Sequence, residues 1–267
     1  MSPRLTLSFG ALLALAATSC FAVTDLDRFQ TRAGRTGNFV DLRLTVRGMK
    51  SHVNELFEYR IVDGTNTIQS RGFITPLGGV DATVFVPGAI PKLNGPFRLD
   101  FYADHDSSGG YDKTPATQGD HAWRLPLDET KTNAEGVVDI VFDHNTSFSY
   151  LNDPAEPKEV GQPFVMKFTN MGGLIGRRIQ VRVADASSGR VVALFRNPAI
   201  TQPAFDGTVA GMIEPSVGYA VEVYSDDGQA GAGSVREWRI EKDSVATGLT
   251  VDFDPATFPP ASNLAPP

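Results

Sequence analysis

Along most of the chain, apolar and polar residues alternate with a period of two. Phe57, Tyr59 and Ile61 are interleaved with Glu58 and Arg60, and Ile179, Val181 and Val183 with Gln180 and Arg182. Phe97, Leu99 and Phe101 alternate with Arg98, Asp100 and Tyr102, and Tyr219, Val221 and Val223 repeat the scheme. Successive side chains of an extended strand point to opposite faces, so the pattern predicts strands with one buried and one wet face. The runs are broken by VDGTN, TPLGGVD and VPGAIPKLNGP. Their Gly, Pro, Asn and Asp residues supply the backbone angles and side-chain hydrogen bonds that turns require.

The pattern is written twice. MKSHVNELFEYRIVD (Met49–Asp63) aligns without a gap with MGGLIGRRIQVRVAD (Met171–Asp185), an offset of 122, and the same offset joins FRLDFYAD, ending at Asp104, to YAVEVYSD, ending at Asp226. The second copy then drops seven residues, because HAWRL at 121–125 matches REWRI at 236–240. VDIVFD at 138–143 matches LTVDFD at 249–254. Internal self-similarity of this kind marks a repeated structural unit. About seven short strands in about 110 residues predict a small sandwich. The expected fold class is therefore all-β, with two tandem immunoglobulin-like antiparallel β-sandwich domains arising from an internal duplication. The expected boundaries are 38–148 for the first sandwich, 149–162 for a proline-containing linker, 163–255 for the second and 256–267 for a loose tail.

The N-terminus departs from this pattern. Arg4 precedes an apolar run from Leu5 to Ala17, with Thr18, Ser19 and Cys20 beyond it. That run is too short to span a bilayer and reads as a secretory signal. Cleavage after Ala22 would leave a mature chain without cysteine, whereas AATSC resembles a lipoprotein box that would make Cys20 a lipidated first residue. Cys20 is the only cysteine, so the chain folds without an internal disulfide. Export is expected, with a periplasmic, outer-membrane-lipoprotein or extracellular destination and no membrane attachment beyond a lipid on Cys20. A net charge of −7 argues against a nucleic-acid partner, which selects basic surfaces.

Candidate chemistry sits in one copy. All four histidines, His52, His105, His121 and His144, belong to the first, where the second has Leu174 for His52 and Arg236 for His121. Strand alternation places all four at one end of the first sandwich. Two metal readings follow. Asp104, Asp106, Ser108, Gly109 and Asp112 resemble the front half of an EF-hand-type calcium loop, with Pro115 where the closing glutamate belongs and Asp120 as its substitute. Alternatively His52 and His121, with His105 or His144, offer imidazoles to copper or zinc. A third reading is a plain surface turn, since Asp, Ser and Gly are what turns use.

The remaining shared residues read as scaffold. Trp123 and Trp238 are expected in the cores, Arg124 and Arg239 on the solvated face, and Tyr102 and Tyr224 in cross-strand pairs or as glycan-facing aromatics. No G-x-S-x-G, H-E-x-x-H or phosphate-binding glycine loop occurs in a fitting context. The leading reading is an exported, non-enzymatic binding module whose ligand is a protein or a glycan. The alternative is a metal-binding protein that uses the loops at one end of the first domain.

Overall fold

The computed structural model describes residues 38–92, 95–112, 119–226, 235–243 and 245–264; the signal segment and Cys20 lie outside these. The described chain is almost wholly β. The first half supplies β1 (Phe39–Arg47), β2 (Phe57–Val62), β3 (Ile68–Ile74), β4 (Ala82–Pro91), β5 (Phe97–Ala103), β6 (His121–Leu127) and β7 (Val137–Asp143). The second supplies β8 (Gln162–Phe168), β9 (Ile179–Asp185), β10 (Val191–Asn197), β11 (Phe205–Ile213), β12 (Tyr219–Asp226), β13 (Val235–Lys242) and β14 (Leu249–Phe253). The pairing scheme of β1–β7 recurs in β8–β14: β4-β1-β7 answers to β11-β8-β14, and β3-β2-β5-β6 to β10-β9-β12-β13.

Two features amend the simple antiparallel picture. β1 pairs in parallel with β7, and β8 with β14. When seven strands alternate in direction, the first and last point the same way. The two halves are also not separate sandwiches joined by a spacer. β10 pairs in parallel with β3, from Ala193 opposite Arg71 to Arg196 opposite Ile74, and this fuses both inner sheets into one sheet of nine strands. The cores interpenetrate there. Ala184, Val191 and Leu194 pack with the first core, and Val62, Ile68 and Phe73 with the second. Gly72 permits the seam, because a Cβ there would meet Tyr59 Oη at 2.7 Å and Leu194 O at 2.8 Å.

The outer face of this sheet is not wet. Arg60, Asp100, Tyr102, Arg182, Glu222 and Tyr224 are all buried. The charges are paired within the layer: Glu58 accepts from Arg60 Nε at 2.5 Å, Arg71 Nε at 2.7 Å and Tyr102 Oη at 3.1 Å. Asp100 takes Arg124, and Glu222 takes Arg239 and Tyr224. Alternation survives because a buried charge with good partners tolerates burial. The segment expected as a spacer forms part of the cover. Leu151 packs on Tyr102 and Ala122, Arg124 donates to Leu151 O and Asp153 O, and Lys158 bridges to the β2–β3 turn. Within the tail expected to be loose, β15 (Ser262–Leu264) pairs with β13. Trp123 and Trp238 lie in the two cores, and their indole N–H groups donate to Asn145 O and Phe258 O.

Candidate metal centre

Four loops meet at the end of the first sandwich where β1 finishes. His52 closes a short 3-10 turn, Lys50–His52, between β1 and β2. That turn is tied to the β3–β4 loop: Met49 N–H donates to Val80 O at 2.7 Å, Asn54 N–H to Leu77 O at 2.9 Å and Leu77 N–H to Glu55 O at 2.7 Å. Asn54 takes the left-handed backbone (φ 75) that turns the chain back toward β2, a conformation asparagine tolerates. His105 lies two residues beyond β5. His121 opens β6 and pairs with Ala103. His144 follows β7, where its N–H donates to Arg47 O at 2.9 Å.

These positions bring the four imidazoles together around His52, whose side chain is fully buried. Glu55 orients two of them. One carboxylate oxygen takes His52 Nδ1 at 2.7 Å and the other takes His105 Nδ1 at 2.9 Å. A carboxylate accepts only, so both rings present a proton on Nδ1, and in the neutral form Nε2 is the free lone pair. His52 Nε2 then stands 3.2 Å from His144 Nε2 and 3.5 Å from His121 Nδ1. One nitrogen each from His52, His105 and His121 also lie within 4.8 Å of one another. Imidazole nitrogens held about 2.0–2.1 Å from a zinc-sized ion stand about 3.3 Å apart in a tetrahedral site. Without metal, and with His52 neutral, the 3.2 Å contact is an N–H···N hydrogen bond with His144 as donor.

The surroundings favour the neutral form of His121 and His144. Burial, then the adjacent His105 and His52, push His121 below the ordinary imidazole value against the opposing pull of Glu55. Burial, then His52, do the same to His144. Neutral imidazole is the form that ligates a metal. Trp123 walls the cluster with edge contacts to His52 and His144, and Phe148 stacks on His121 at 4.1 Å. The second copy builds the corresponding turn, Met171–Leu174, without this chemistry. Leu174, Arg177, Arg236 and Pro255 stand where the first has His52, Glu55, His121 and His144.

The acidic loop divides differently from its sequence spacing. Carboxylate oxygens of Asp104, Asp106 and Asp120 lie within 4.8 Å of one another. Asp112 is not in that group, and its backbone N–H instead donates to Asp120 Oδ2 at 3.0 Å. Asp120, sixteen positions after Asp104, closes back on the loop start because its other oxygen accepts His105 N–H at 3.1 Å. Asp104 accepts from Ser108 N–H at 2.9 Å and Gly109 N–H at 3.0 Å, and Asp106 accepts from Ser108 N–H at 3.0 Å, the last being the bond of an Asx turn. Burial, then the charges of Asp104, Asp112 and Asp106, push Asp120 up to about 7, opposed by the Asp112 N–H. The loop thus clamps the backbone that presents His105 and His121. Residues 113–118, including Pro115, lie outside the described residues.

Sequence spacing singled out His52 and His121, and these are brought together; His105 and His144 join them. Glu55 was missed, although the charge reversal to Arg177 in the second copy was a readable signal. Tyr102 and Tyr224 are buried rather than offered to a glycan.

No protein-family model matches the chain, and no curated protein matches it. Among solved structures, it is similar to the shaft pilin SpaA of Lactobacillus rhamnosus GG in its D295N form, at 10% identity and a TM-score of 0.22, covering 85% of this chain and 100% of the pilin. It is also similar to a candidate cell adhesion protein of Bacteroides ovatus, at 11% identity and a TM-score of 0.24, covering 86% of this chain and 98% of the other. A candidate polysaccharide binding protein of Bacteroides thetaiotaomicron follows at 8% identity and a TM-score of 0.21, covering 84% and 94%. Likenesses this distant carry no functional weight.

Proposed function

We propose that the chain is an exported β-sandwich protein that binds a first-row transition-metal ion, zinc or copper, through the imidazoles gathered on His52. The observation that carries this reading is the arrangement around Glu55. One carboxylate holds the Nδ1 protons of His52 and His105, and His52 Nε2 faces His144 and His121 at 3.2 and 3.5 Å. A carboxylate behind the ligating histidine is the usual support of an imidazole metal site. The signal-like N-terminus supports an exported setting, where a cysteine-poor chain is left with imidazole as its main ligand for such ions. The role is binding; the sequence carries no G-x-S-x-G, H-E-x-x-H or phosphate-binding glycine loop in a fitting context that would support a hydrolase or a nucleotide-dependent enzyme.

The test is the metal content of the mature protein, purified without chelator or a histidine tag, dialysed against zinc or copper and read by elemental mass spectrometry. About one equivalent is expected in the wild type and a loss of most of it in His52→Ala. A wild type without bound metal after loading would sink the reading. Calcium in its place would transfer it to Asp104, Asp106 and Asp120.

A further inference from the structure

Away from the histidines, the fusion of the two halves leaves a cleft of about 690 Å³ at their seam, a size typical of small-molecule sites. The first half supplies Arg43 of β1, Ile74 at the end of β3, and the β3–β4 loop with the start of β4. The second supplies Arg178, Arg196 of β10 and Pro198. The walls meet at Gly78, where a Cβ would stand 3.1 Å from Pro198 Cβ. Among the described residues the lining holds three arginines and one acid, Asp81, whose Oδ1 already accepts Gly48 N–H at 2.9 Å. That balance runs against the whole chain, in which acids outnumber bases by 31 to 24. The cleft is therefore not a sample of the average surface.

Arg196 is the fixed member of the trio. It is 7% exposed. Gln180 Oε1 accepts from its Nε at 2.8 Å and its Nη2 at 2.5 Å, and Thr83 O accepts from its Nη1 at 2.6 Å. These acceptors are neutral, so they orient the guanidinium without cancelling its charge. Arg43 is the adaptable member, because its partners Asp139 and Glu135 are themselves 39% and 71% exposed. Ion pairs open to water are weak and yield to a competing anion. We infer that this cleft binds a small organic oxyanion, a carboxylate or phosphate group carried on a compact apolar body. Guanidinium takes either head group through paired N–H donors in one plane. Arg196, withdrawn from water, makes such a contact where the dielectric is lower and the attraction stronger. Ile74, Leu77, Ala82 and Pro198 supply the apolar wall for the body. Neither the imidazoles nor a metal takes part.

Calorimetric titration of the full mature protein with phenyl phosphate, benzoate and inorganic phosphate at low ionic strength provides the test. Phenyl phosphate or benzoate should bind one equivalent per chain and more tightly than inorganic phosphate, and the tighter of the two names the head group. Added salt should weaken the binding. Arg178→Gln should lower the affinity roughly tenfold by removing a charged donor, and Arg43→Gln should lower it in the same direction. Both positions are partly exposed, and an unchanged circular dichroism spectrum would show that each variant is folded. A wild type that takes up neither organic anion overturns the inference. So does an affinity that neither arginine variant moves, because the anion then sits elsewhere. Inorganic phosphate bound as tightly as phenyl phosphate would remove the apolar half of the site, and the inference with it.

Discussion

At the scale of single residues, Glu55 and Glu58 show two uses of a carboxylate three positions apart. Glu55 orients rings that would ligate a metal, so Glu55→Gln should keep the fold and weaken zinc affinity by roughly 10–100-fold. Competition titration against a chromophoric chelator checks this, and an unchanged affinity would mean that the histidines need no such support. Glu58 instead serves the fold. Burial alone would push it up, but Arg60 and Arg71 outweigh burial and hold its carboxyl below the ordinary value of 4.5. Its contribution to stability is therefore present above 4.5 and is lost as pH falls through the depressed folded value. Glu58→Gln should cost about 3 kcal/mol at neutral pH by leaving two buried guanidiniums short of a partner. Urea unfolding in acid should show this difference shrinking. The histidines were legible in the sequence because the second copy lacks them, whereas Glu55 was harder to find because its role depends on the turn that folds it under His52.

At the scale of elements, the strands were legible and their joining was not. Period-two alternation places Phe57, Tyr59 and Ile61 on the inner face, and they lie there. Nothing in that period tells which edge strand meets which, so the parallel pairing of β3 with β10 is invisible to it. Alternation also cannot tell a wet polar face from a polar face under cover, which is why Asp100, Tyr102 and Glu222 lie deeper than their pattern implies. Gly72 was a quiet marker of the seam. Gly72→Ala must push a methyl group into Tyr59 Oη and Leu194 O, and should destabilise the protein by about 1–3 kcal/mol. For a protein of this size that lowers the melting temperature by roughly 2–4 °C per kcal/mol. A melting temperature equal to wild type would show that β3 and β10 do not approach so closely.

At the scale of the whole molecule, one half carries the proposed ligands and shares with the other a single sheet of nine strands. Because the proposed ligands come from loops after β1, β5 and β7 and from the start of β6, an ion there would cross-link the end of the first sandwich. Zinc at a hundred times its dissociation constant should then stabilise the fold by about 2.7 kcal/mol, visible as a rise in melting temperature that His52→Ala abolishes. The central claim is that imidazoles, not the neighbouring carboxylates, hold the metal. X-ray absorption at the metal edge of the zinc-loaded protein tests it most directly. The account predicts a first shell that includes three histidine nitrogens at about 2.0–2.1 Å, with the outer-shell scattering of imidazole rings. A shell of oxygens alone, as Asp104, Asp106 and Asp120 would provide, would contradict it.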